Sequence, residues 1–469
     1  MRSRPAMENP QPVVSHFRRC ETSVAGGGGG GFRLWTDIGG GRGWTRRCAI
    51  RRRGGARRLS RCGCLRTRTT LFCGKFDFVA PGGRVNLHTI MTGVCDLEAL
   101  RRVAAQFELP SRLVQGQPWG NGHIHDTYAV TCEQDGRPRR YILQRINTRV
   151  FGNVAELMEN IARVTTHLRR RLAAAPGRDP DRETLTVVPT RAAGAYWRGA
   201  QGECWRCYLF IEGARSVDVV EHPRQAYEAA KAFGAFQRLL GDLPAPPLHE
   251  TIPHFHDTPR RVAALERALA ADACGRARTC AAEAEFALSL KGEAGRVVQG
   301  LAQGALPWRV THNDSKINNV MLEDGTDRGV CVIDLDTAMP GSVLYDFGDL
   351  VRTATGRFAE NAGAAESVGV DLAMFEQLVA GYLEGAGGTL SERELELLSF
   401  AGVLITYTIG VRFLTDYLEG DVYFKTRRPG ENLERCRTQF ALVRNLRREE
   451  GVLRAIVERQ ARAAGGGQA

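Results

Sequence analysis

The spacing of apolar residues changes near Gly213, and this change limits the fold more than any other feature of the sequence. Before it, short apolar runs alternate with Gly-bearing and polar turns, which is typical of a small β-sheet. One segment within that half, residues 154–172, has apolar residues at helical spacing, and from Pro223 onwards helical spacing dominates. We therefore predict an α+β chain with two lobes: a small mixed β-sheet with one helix in residues 91–213, and a mainly helical lobe in residues 214–469.

The formal net charge of +12 is concentrated in the first ninety residues. These residues hold 17 Arg and one Lys against four acidic residues, a net charge of +14, whereas residues 91–469 hold 46 basic and 48 acidic residues. The part of the chain expected to fold therefore gives no electrostatic reason to expect a nucleic-acid partner.

Residues 1–90 are rich in Gly and Arg and lack sustained apolar periodicity, so we expect them to be disordered. Three interpretations are open for them: a basic RNA-binding arm, an Arg-rich organelle-targeting peptide, or a translation start placed upstream of Met91. The third is favoured, because helix-patterned sequence begins at Met91 itself.

The cysteines indicate neither a zinc site nor a disulfide framework. Of the 13 Cys, the only close pairs are Cys62 with Cys64 and Cys204 with Cys207, and the second pair lies in an apolar, strand-like run. A zinc site needs two such pairs or matching His, so we expect reduced thiols and a cytoplasmic protein. No uninterrupted apolar run reaches about 18 residues, and we expect no membrane span.

The stretch THNDSKINNVML, followed after a short turn by VCVIDLDTAMPG, places polar side chains beside two apolar strands. Phosphoryl transfer needs a carboxylate that accepts or orients the hydroxyl proton of the nucleophile, and ligands for a metal that neutralises phosphate charge. Asp314 fits the first requirement. Asn319 with Asp334, joined or not by Asp336, is a donor set that suits Mg²⁺.

These motifs, together with YILQRIN, MENI, FIEGAR, SVLYDFGD and RFLTDYLEGDVYFK, resemble the aminoglycoside-phosphotransferase branch of the kinase-like phosphotransferases, and within it the N-acetylhexosamine 1-kinases. The resemblance implies a bilobal protein-kinase-like fold with ATP between the lobes. It implies Asp314 as the catalytic base, Mg²⁺ on Asn319 and Asp334, and Asp336 as a further ligand or an orienter of the site.

The same resemblance implies two supporting roles in the loop around Asp314. His312 would hold the loop backbone in place. Lys316 would contact the transferred phosphoryl group, and a solvated surface Lys stays the alternative for it.

On the nucleotide side, the turn Gly120-Asn121-Gly122 lies between two predicted strands, where backbone N–H groups could approach ATP phosphates, with Thr127 on the next strand. The resemblance implies a phosphate-binding Lys on the third strand, but this chain has Gln144 and Arg145 there. Alternation places these two on opposite faces. Either Gln144 hydrogen-bonds the phosphate without charge, or Arg145 supplies the charge from a shifted register.

The segment YLFIEGA lies where the hinge between the lobes is expected. Adenine recognition there would use backbone groups from Phe210 to Glu212.

The triplet DFG at Asp346–Gly348 invites the metal-binding role, but its spacing argues against it. Asp346 lies 32 residues beyond Asp314, after a turn, whereas Asp334 lies 20 residues beyond it and ends an apolar strand. We therefore predict that Asp346 and Asp349 cap and anchor the following helix, accepting hydrogen bonds from the backbone of the loop around Asp314.

The acceptor should be bound by the helical lobe, where VRFLTDYLEGDVYFKTRRPGEN brings charged and aromatic residues together. Sugar recognition uses charged or amide groups for hydroxyls and an aromatic platform. Arg412 is the first candidate, followed by Asp416, Tyr417 and Tyr423. The region holds about as many basic as acidic residues, which disfavours a polycationic aminoglycoside.

We therefore expect an ATP- and Mg²⁺-dependent kinase that phosphorylates the anomeric hydroxyl of N-acetylglucosamine or N-acetylgalactosamine. One alternative is a kinase of another small hydroxyl compound, such as homoserine, choline or a different sugar. Another is a catalytically silent nucleotide-binding module, for which the missing Lys is the only support.

Overall fold

The computed structural model divides the chain into two compact units, Met1–Thr92 and Gly93–Ala469. It describes five short strands of the first unit, and residues 96–120, 124–356 and 369–466 of the second. In the first unit, β1 (Arg19–Val24), β2 (Phe32–Asp37) and β3 (Cys48–Arg51) form an antiparallel sheet, and β4 (Phe78–Ala80) pairs with β5 (Gly83–Val85). The expected disorder of residues 1–90 and the start at Met91 stay predictions.

The second unit begins with a helix and a five-stranded sheet that is antiparallel throughout. Its elements are α1 (Leu97–Ala104), β6 (Leu113–Pro118), β7 (Asp126–Gln134), β8 (Arg137–Ile146), α2 (Val154–Ala173), α3 (Pro180–Glu183), β9 (Trp197–Arg198) and β10 (Cys204–Leu209). The strand order is β6-β7-β8-β10-β9. Asp135 and Gly136, both with positive φ, make the tight turn between β7 and β8, as an Asp-Gly pair predicts.

Strand β10 is buried on both faces, and each face packs against a different apolar cluster. Trp205 and Cys207 belong to the apolar cluster that includes α1, whereas Cys204 and Tyr208 belong to the larger cluster that includes the helices. Because side chains alternate along a strand, Arg206 shares the face of Cys204 and Tyr208 and points towards the helical part. Cys204 and Cys207 are free and buried, as expected for core thiols.

The rest of the unit is mainly helical, with two small sheets that carry the polar motifs. The helices are α4 (Pro223–Leu239), α5 (Thr258–Ala271), α6 (Ala281–Ser289), α7 (Arg296–Ala302), α8 (Val343–Ala354), α9 (Leu372–Ala386), α10 (Glu392–Glu419), α11 (Glu431–Arg448) and α12 (Glu450–Gly466). The strands are β11 (Ala214–Arg215), β12 (Arg309–Thr311), β13 (Val320–Glu323), β14 (Gly329–Val332) and β15 (Met339–Gly341). They form the sheets β11-β13-β14 and β12-β15. The predicted order of a small sheet followed by a helical part is present, but the sheet is antiparallel and not mixed, and three described helices accompany it where one was predicted.

Helix α10 is long and apolar enough to cross a membrane by length and composition, although its sequence has no unbroken apolar run of that length. In the structure, 89% of its most apolar window is buried inside the protein. The helix therefore packs as the central helix of the core.

Helices α4 and α9 pack with their backbones in contact, because glycines line the crossing. A Cβ atom on Gly385 would lie 2.1 Å from the carbonyl oxygen of Lys231, and one on Gly381 would lie 2.1 Å from that of Tyr227. From the other side, a Cβ on Gly234 would lie 2.5 Å from the carbonyl oxygen of Tyr382. Any larger residue at these positions would push the helices apart.

Candidate active site

The loop between β12 and β13 carries the H-x-D-x4-N motif, and His312 fixes its shape. The His312 side chain is fully buried against Phe233 and Phe236. Its Nδ1 accepts a hydrogen bond from the backbone N–H of Asp314 at 3.3 Å, which leaves the proton on Nε2 to donate to the carbonyl of Ile333 at 2.8 Å. His312 therefore joins the two polar motifs and holds the backbone of Asp314, in keeping with its predicted supporting role.

Asp314 lies beside Lys316, with 3.2 Å between Oδ2 and Nζ, and a quarter of its side chain is exposed. Burial alone would raise the pKa of Asp314, but the positive charge of the neighbouring Lys316 more than offsets this and lowers it. The group is therefore an ionised hydrogen-bond acceptor that reaches the cleft, as a base or orienter of a hydroxyl must be.

Asn319 and Asp334 are brought to the same place by the hairpin of β13 and β14. The amide nitrogen of Asn319 donates to the backbone carbonyl of Asp314 at 2.7 Å. This bond orients the side chain so that its amide oxygen can coordinate a cation. Asp334 has a left-handed backbone (φ +61°) and reaches solvent at the cleft. The protein around it, and then the carboxylates of Asp336 and Asp314, raise its pKa.

This donor set fits Mg²⁺. The ionised form of Asp334 is disfavoured by two neighbouring carboxylates, so a divalent cation beside it would relieve that repulsion. Asn319 and Asp334 would hold the ion, which supplies charge neutralisation for phosphate oxygens when bound.

Asp336 is not free to join them, because it is held by Arg206. The guanidinium donates to both carboxylate oxygens, at 2.7 and 2.6 Å, and the two side chains are 1% and 3% exposed. Burial acts to raise the pKa of Asp336, yet Arg206 and then His125 hold it well below the usual range of Asp. Of the two predicted roles, direct ligand or orienter, this geometry favours the orienter.

The structure also separates Gln144 from Arg145. Arg145 is exposed and pairs with Asp126 across the β7–β8 ladder. Gln144 faces the cleft, where its amide nitrogen donates to the Thr127 hydroxyl at 2.9 Å and its oxygen accepts from Arg206. Alternation thus works as predicted, but the buried cation on the cleft face comes from Arg206 on the neighbouring strand.

The remaining nucleotide-side candidates are in the turn after β6 and in the hinge segment after β10. Gly120 has the positive φ (+75°) of a Gly turn, while Asn121 and Gly122 lie outside the described residues. In the hinge, the Phe210 N–H donates to the Arg140 carbonyl at 3.2 Å, and the Glu212 carbonyl accepts from Arg182 at 3.3 Å.

These two backbone groups already have partners. The predicted adenine contact would therefore use the backbone groups between the Phe210 carbonyl and the Glu212 N–H. The side chains frame it: Arg140 pairs with the Glu212 carboxylate and lies over the Phe210 ring, which Trp119 meets edge-on.

The DFG triplet lies inside α8, and its Asp serves the loop around Asp314. Asp346 accepts hydrogen bonds from the backbone N–H groups of His312 (2.9 Å) and Asn313 (2.6 Å), as predicted for a scaffold role. The predicted capping is corrected: Ser342 caps α8, and Asp349 pairs with Arg352 one turn further on.

Of the residues predicted to bind the acceptor, Arg412 lies among three aromatic rings. Its guanidinium carbon is 5.3 Å from the ring centres of Phe255 and Phe424 and 5.5 Å from that of Tyr423. Its Nη2 atom is 3.4 Å from the Tyr423 hydroxyl, and Tyr423 is 59% exposed. These two candidates are therefore neighbours at an accessible surface.

The other two acceptor candidates are placed as scaffold instead. The Asp416 carboxylate is buried and accepts from the backbone N–H groups of residues 422–424 and from Asn432, so that it shapes the loop after α10. Tyr417 is buried, bonded to Thr279 at 2.9 Å and covered by Arg276. Both side chains already have partners inside the protein, which argues against the predicted role in substrate binding.

Two residues near Asp314 were missed by sequence reasoning. His256 is buried, with its Nε2 atom 2.7 Å from the carbonyl of Asn313, next to Asp314. Arg261 donates to the backbone carbonyls of His254 and Phe255, and burial followed by the charge of Arg412 lowers its pKa. Neither residue belongs to a motif: the fold brings His256 to the loop and Arg261 to the backbone next to His256.

The sequence did carry a signal for Arg206. It is a charged residue in the middle of the apolar run CWRCYLF, and such a residue on a buried strand needs an opposite charge. The cysteines on either side drew attention to zinc instead.

A family model described as the phosphotransferase enzyme family matches residues 115–382, more than half of the chain and all of the loop just described. The chain belongs to the phosphotransferase enzyme family. As a member it is an enzyme, a phosphotransferase whose acceptor is an alcohol group of a small molecule.

Several solved structures are similar to this chain at low sequence identity. An aminoglycoside phosphotransferase from Alicyclobacillus acidocaldarius is 14% identical, with a TM-score of 0.51 over 76% of this chain and 96% of that one. A choline kinase from Cryptosporidium parvum is 12% identical (TM-score 0.44; 71% and 89% covered), and a macrolide 2'-phosphotransferase from Brachybacterium faecium is 18% identical (TM-score 0.43; 74% and 97% covered). The first of these similarities shows that this phosphotransferase has the bilobal kinase-like fold.

Proposed function

We propose that this phosphotransferase is an ATP- and Mg²⁺-dependent kinase that phosphorylates the anomeric hydroxyl of N-acetylglucosamine or N-acetylgalactosamine. The observation that carries the proposal is the positive charge of Arg412 and Arg261, which both act on His256, the residue bonded to the carbonyl of Asn313. Arg412 and Arg261 both lie on the acceptor side, and within residues 96–120, 124–356 and 369–466 no carboxylate lies within 4 Å of either guanidinium.

Contacts connect these cations to the loop around Asp314. Arg412 lies over the Phe255 ring, Phe255 packs against His256 with 4.6 Å between ring centres, and His256 bonds to the carbonyl of Asn313. A cationic acceptor such as an aminoglycoside would meet two positive charges along this path.

The aromatic rings argue against choline for a related reason. Quaternary ammonium groups bind over aromatic faces, but Phe255, Tyr423 and Phe424 already surround the guanidinium of Arg412. A neutral acceptor rich in hydroxyl and carbonyl groups suits such a site, since guanidinium N–H groups donate to oxygen. The resemblance of the motifs to N-acetylhexosamine 1-kinases supplies the finer proposal of an acetamido sugar and of attack by its C1 hydroxyl.

In the proposed reaction, Asp314 accepts the hydrogen bond of the acceptor hydroxyl and takes its proton as the new O–P bond forms and the bond to the leaving ADP breaks. Lys316, at 3.2 Å from Asp314, lies close enough to the nucleophile to contact the transferred phosphoryl group. Asn319 and Asp334 would hold Mg²⁺. When bound, the ion lowers the repulsion between the phosphate oxygens and the nearby carboxylates.

The test is ADP release from ATP with a panel of acceptors: N-acetylhexosamines, unmodified hexoses, choline, ethanolamine, homoserine and an aminoglycoside. We expect turnover with N-acetylhexosamines and a product whose phosphate is on C1 by ³¹P NMR. Turnover of cationic acceptors alone would refute the sugar assignment. No phosphate transfer to any acceptor, in protein that binds ATP, would favour a silent nucleotide-binding module.

A further inference from the structure

Every N–H group of the Arg206 guanidinium already has an acceptor inside the protein. Nη1 and Nη2 donate to the two oxygens of Asp336, Nε and Nη2 donate to the amide oxygen of Gln144 at 2.8 and 2.6 Å, and Nη1 also lies 4.0 Å from the sulfur of Met158. A guanidinium has five donors, and these contacts use all of them. Arg206 therefore has no donor left for an ATP phosphate, although it is the buried cation nearest to where one was expected.

We propose that Arg206 is a positioning residue of the phosphotransfer site: it fixes Asp336 as its ion-pair partner, so that Asp334 alone of the two acidic residues after β14 is presented to the metal and nucleotide. This inference rests on the proposed metal site at Asn319 and Asp334. It assigns the two carboxylates of VIDLD to different tasks, and it links the sheet of the first lobe to the metal loop through one side chain.

His125 supports this division. Its ring lies beside both acids, and the polar atoms of His125, Asp334 and Asp336 all lie within 4.8 Å of one another, close enough for a three-residue metal site. However, Nδ1 of His125 accepts a hydrogen bond from the backbone N–H of Asn147 at 3.0 Å. The neutral ring then carries its proton on Nε2, which lies 3.3 Å from Asp336 and has no lone pair for a metal. His125 thus turns an N–H group and not a metal-binding lone pair towards Asp336, although the contact does not meet hydrogen-bond geometry.

Breaking the buried ion pair of Arg206 and Asp336 at one residue only would cost free energy. Removing one member of a buried ion pair leaves the other charge without compensation, whereas replacing both by apolar residues of similar size is often tolerated. If Asp336 were removed alone, the nearest carboxylate for Arg206 would be Asp334, whose charge already acts on Arg206. The freed guanidinium would then compete with the metal.

The proposal is tested by measuring the affinity of Mn²⁺, as a Mg²⁺ substitute, for the ADP-bound protein with EPR detection of free Mn²⁺. We expect Asp334→Asn to abolish detectable binding. The double variant Arg206→Met/Asp336→Leu should bind within about 10-fold of the wild type, the scale expected when only an outer-shell partner is changed. Asp336→Asn should weaken binding by a similar factor, because an amide still accepts from Arg206 through its oxygen.

A matched control comes from a second bidentate pair, Arg309 with Glu394, where both hydrogen bonds are 2.8 Å and Glu394 is fully buried. Arg309→Met/Glu394→Leu should change the thermal midpoint and leave Mn²⁺ affinity unchanged. By contrast, Arg206→Met alone should weaken Mn²⁺ binding more than the double variant does, and Arg206→Lys should restore part of the loss.

The outcomes distinguish an error in the role given to Arg206 from an error in the proposed metal site. If the double variant, or Asp336→Asn where the double variant does not fold, loses Mn²⁺ binding as fully as Asp334→Asn, then Asp336 is a metal ligand and the role given to Arg206 is overturned. If Asp334→Asn binds Mn²⁺ like the wild type, the metal site itself is misplaced and the inference falls with it. Neither result depends on which acceptor the enzyme phosphorylates.

Discussion

The carboxylate of Asp346 accepts a 2.6 Å hydrogen bond from the backbone N–H of Asn313, the residue immediately before Asp314. A second bond, at 2.9 Å, comes from the N–H of His312. Asn313 has a left-handed backbone (φ +64°), which needs such outside support. The DFG-like Asp therefore acts on the catalytic loop through the backbone and not through a metal.

We expect Asp346→Asn to lower kcat by about 100-fold and stability by about 3 kcal/mol, because an amide cannot offer two acceptor oxygens to two buried N–H groups. Steady-state kinetics and thermal unfolding check both effects. Asp349→Asn, which removes the negative charge that pairs with Arg352, should lower stability and affect kcat much less. Equal kcat losses in the two variants would contradict the role assigned to Asp346.

Replacing the base should separate chemistry from binding. Asp314→Asn keeps the shape of the side chain but removes its proton-accepting charge, so we expect kcat to fall by roughly 10²–10⁴-fold, the usual contribution of a general base. Binding of ATP, measured by calorimetry, should survive. Asp324→Asn, at an exposed turn beside Arg215, is the control and should turn over normally. Near-normal turnover of Asp314→Asn would overturn its assignment as the base.

His256 predicts a pH dependence of stability. Burial lowers its pKa from 6.5 to about 4, against the raising effect of the hydrogen bond to Asn313, with Arg412, Asp314 and Arg261 as the other charges acting on it. Between these pH values the unfolded chain binds a proton that the folded protein does not, so stability is present above pH 6.5 and is lost as the pH falls towards 4. The loss attributable to this residue is up to roughly 3 kcal/mol.

The variant His256→Gln tests this, since its amide still donates to the Asn313 carbonyl but does not titrate. Urea unfolding at a series of pH values should show the wild type more stable at pH 7.5 and the difference shrinking or reversing at pH 4.5. A constant difference across the series would show that His256 does not titrate as its environment predicts.

The contact between α4 and α9 predicts a steric effect at Gly385. Gly385→Ala places a methyl group 2.1 Å from the carbonyl oxygen of Lys231, and separating the helices should cost about 2 kcal/mol or more. Gly451→Ala is the control, because this helical glycine in α12 has open space around its Cβ position and should be neutral or stabilising. Thermal unfolding of both variants decides between packing and backbone entropy as the cause.

Residues whose role depends on local pattern were predictable from the sequence, and residues whose role depends on a distant partner were not. The spacing of Asp314, Asn319 and Asp334 follows from one hairpin. The same spacing correctly predicted that Asp346 of the DFG triplet supports the loop and does not replace Asp334.

The roles that the sequence could not supply were those decided by long-range pairing. Asp416 had the charge expected of a sugar ligand, but the loop after α10 folds back onto it. Arg206 and Asp336 are 130 residues apart, and no local periodicity connects them. A rule that a charged residue within a buried strand demands a partner would have pointed to Arg206, though not to Asp336.

Arg412 offers the sharpest test of the acceptor site. If its guanidinium donates to the acceptor, Arg412→Leu should raise KM for the acceptor by about 10–100-fold, the cost of one or two lost charged hydrogen bonds, and leave KM for ATP unchanged. Arg296→Leu is a matched control, since Arg296 also lies over an aromatic ring, Phe400 at 4.2 Å, but on α7. A KM for the acceptor that stays the same in Arg412→Leu, or a rise for ATP alone, would move the acceptor away from this side of the cleft.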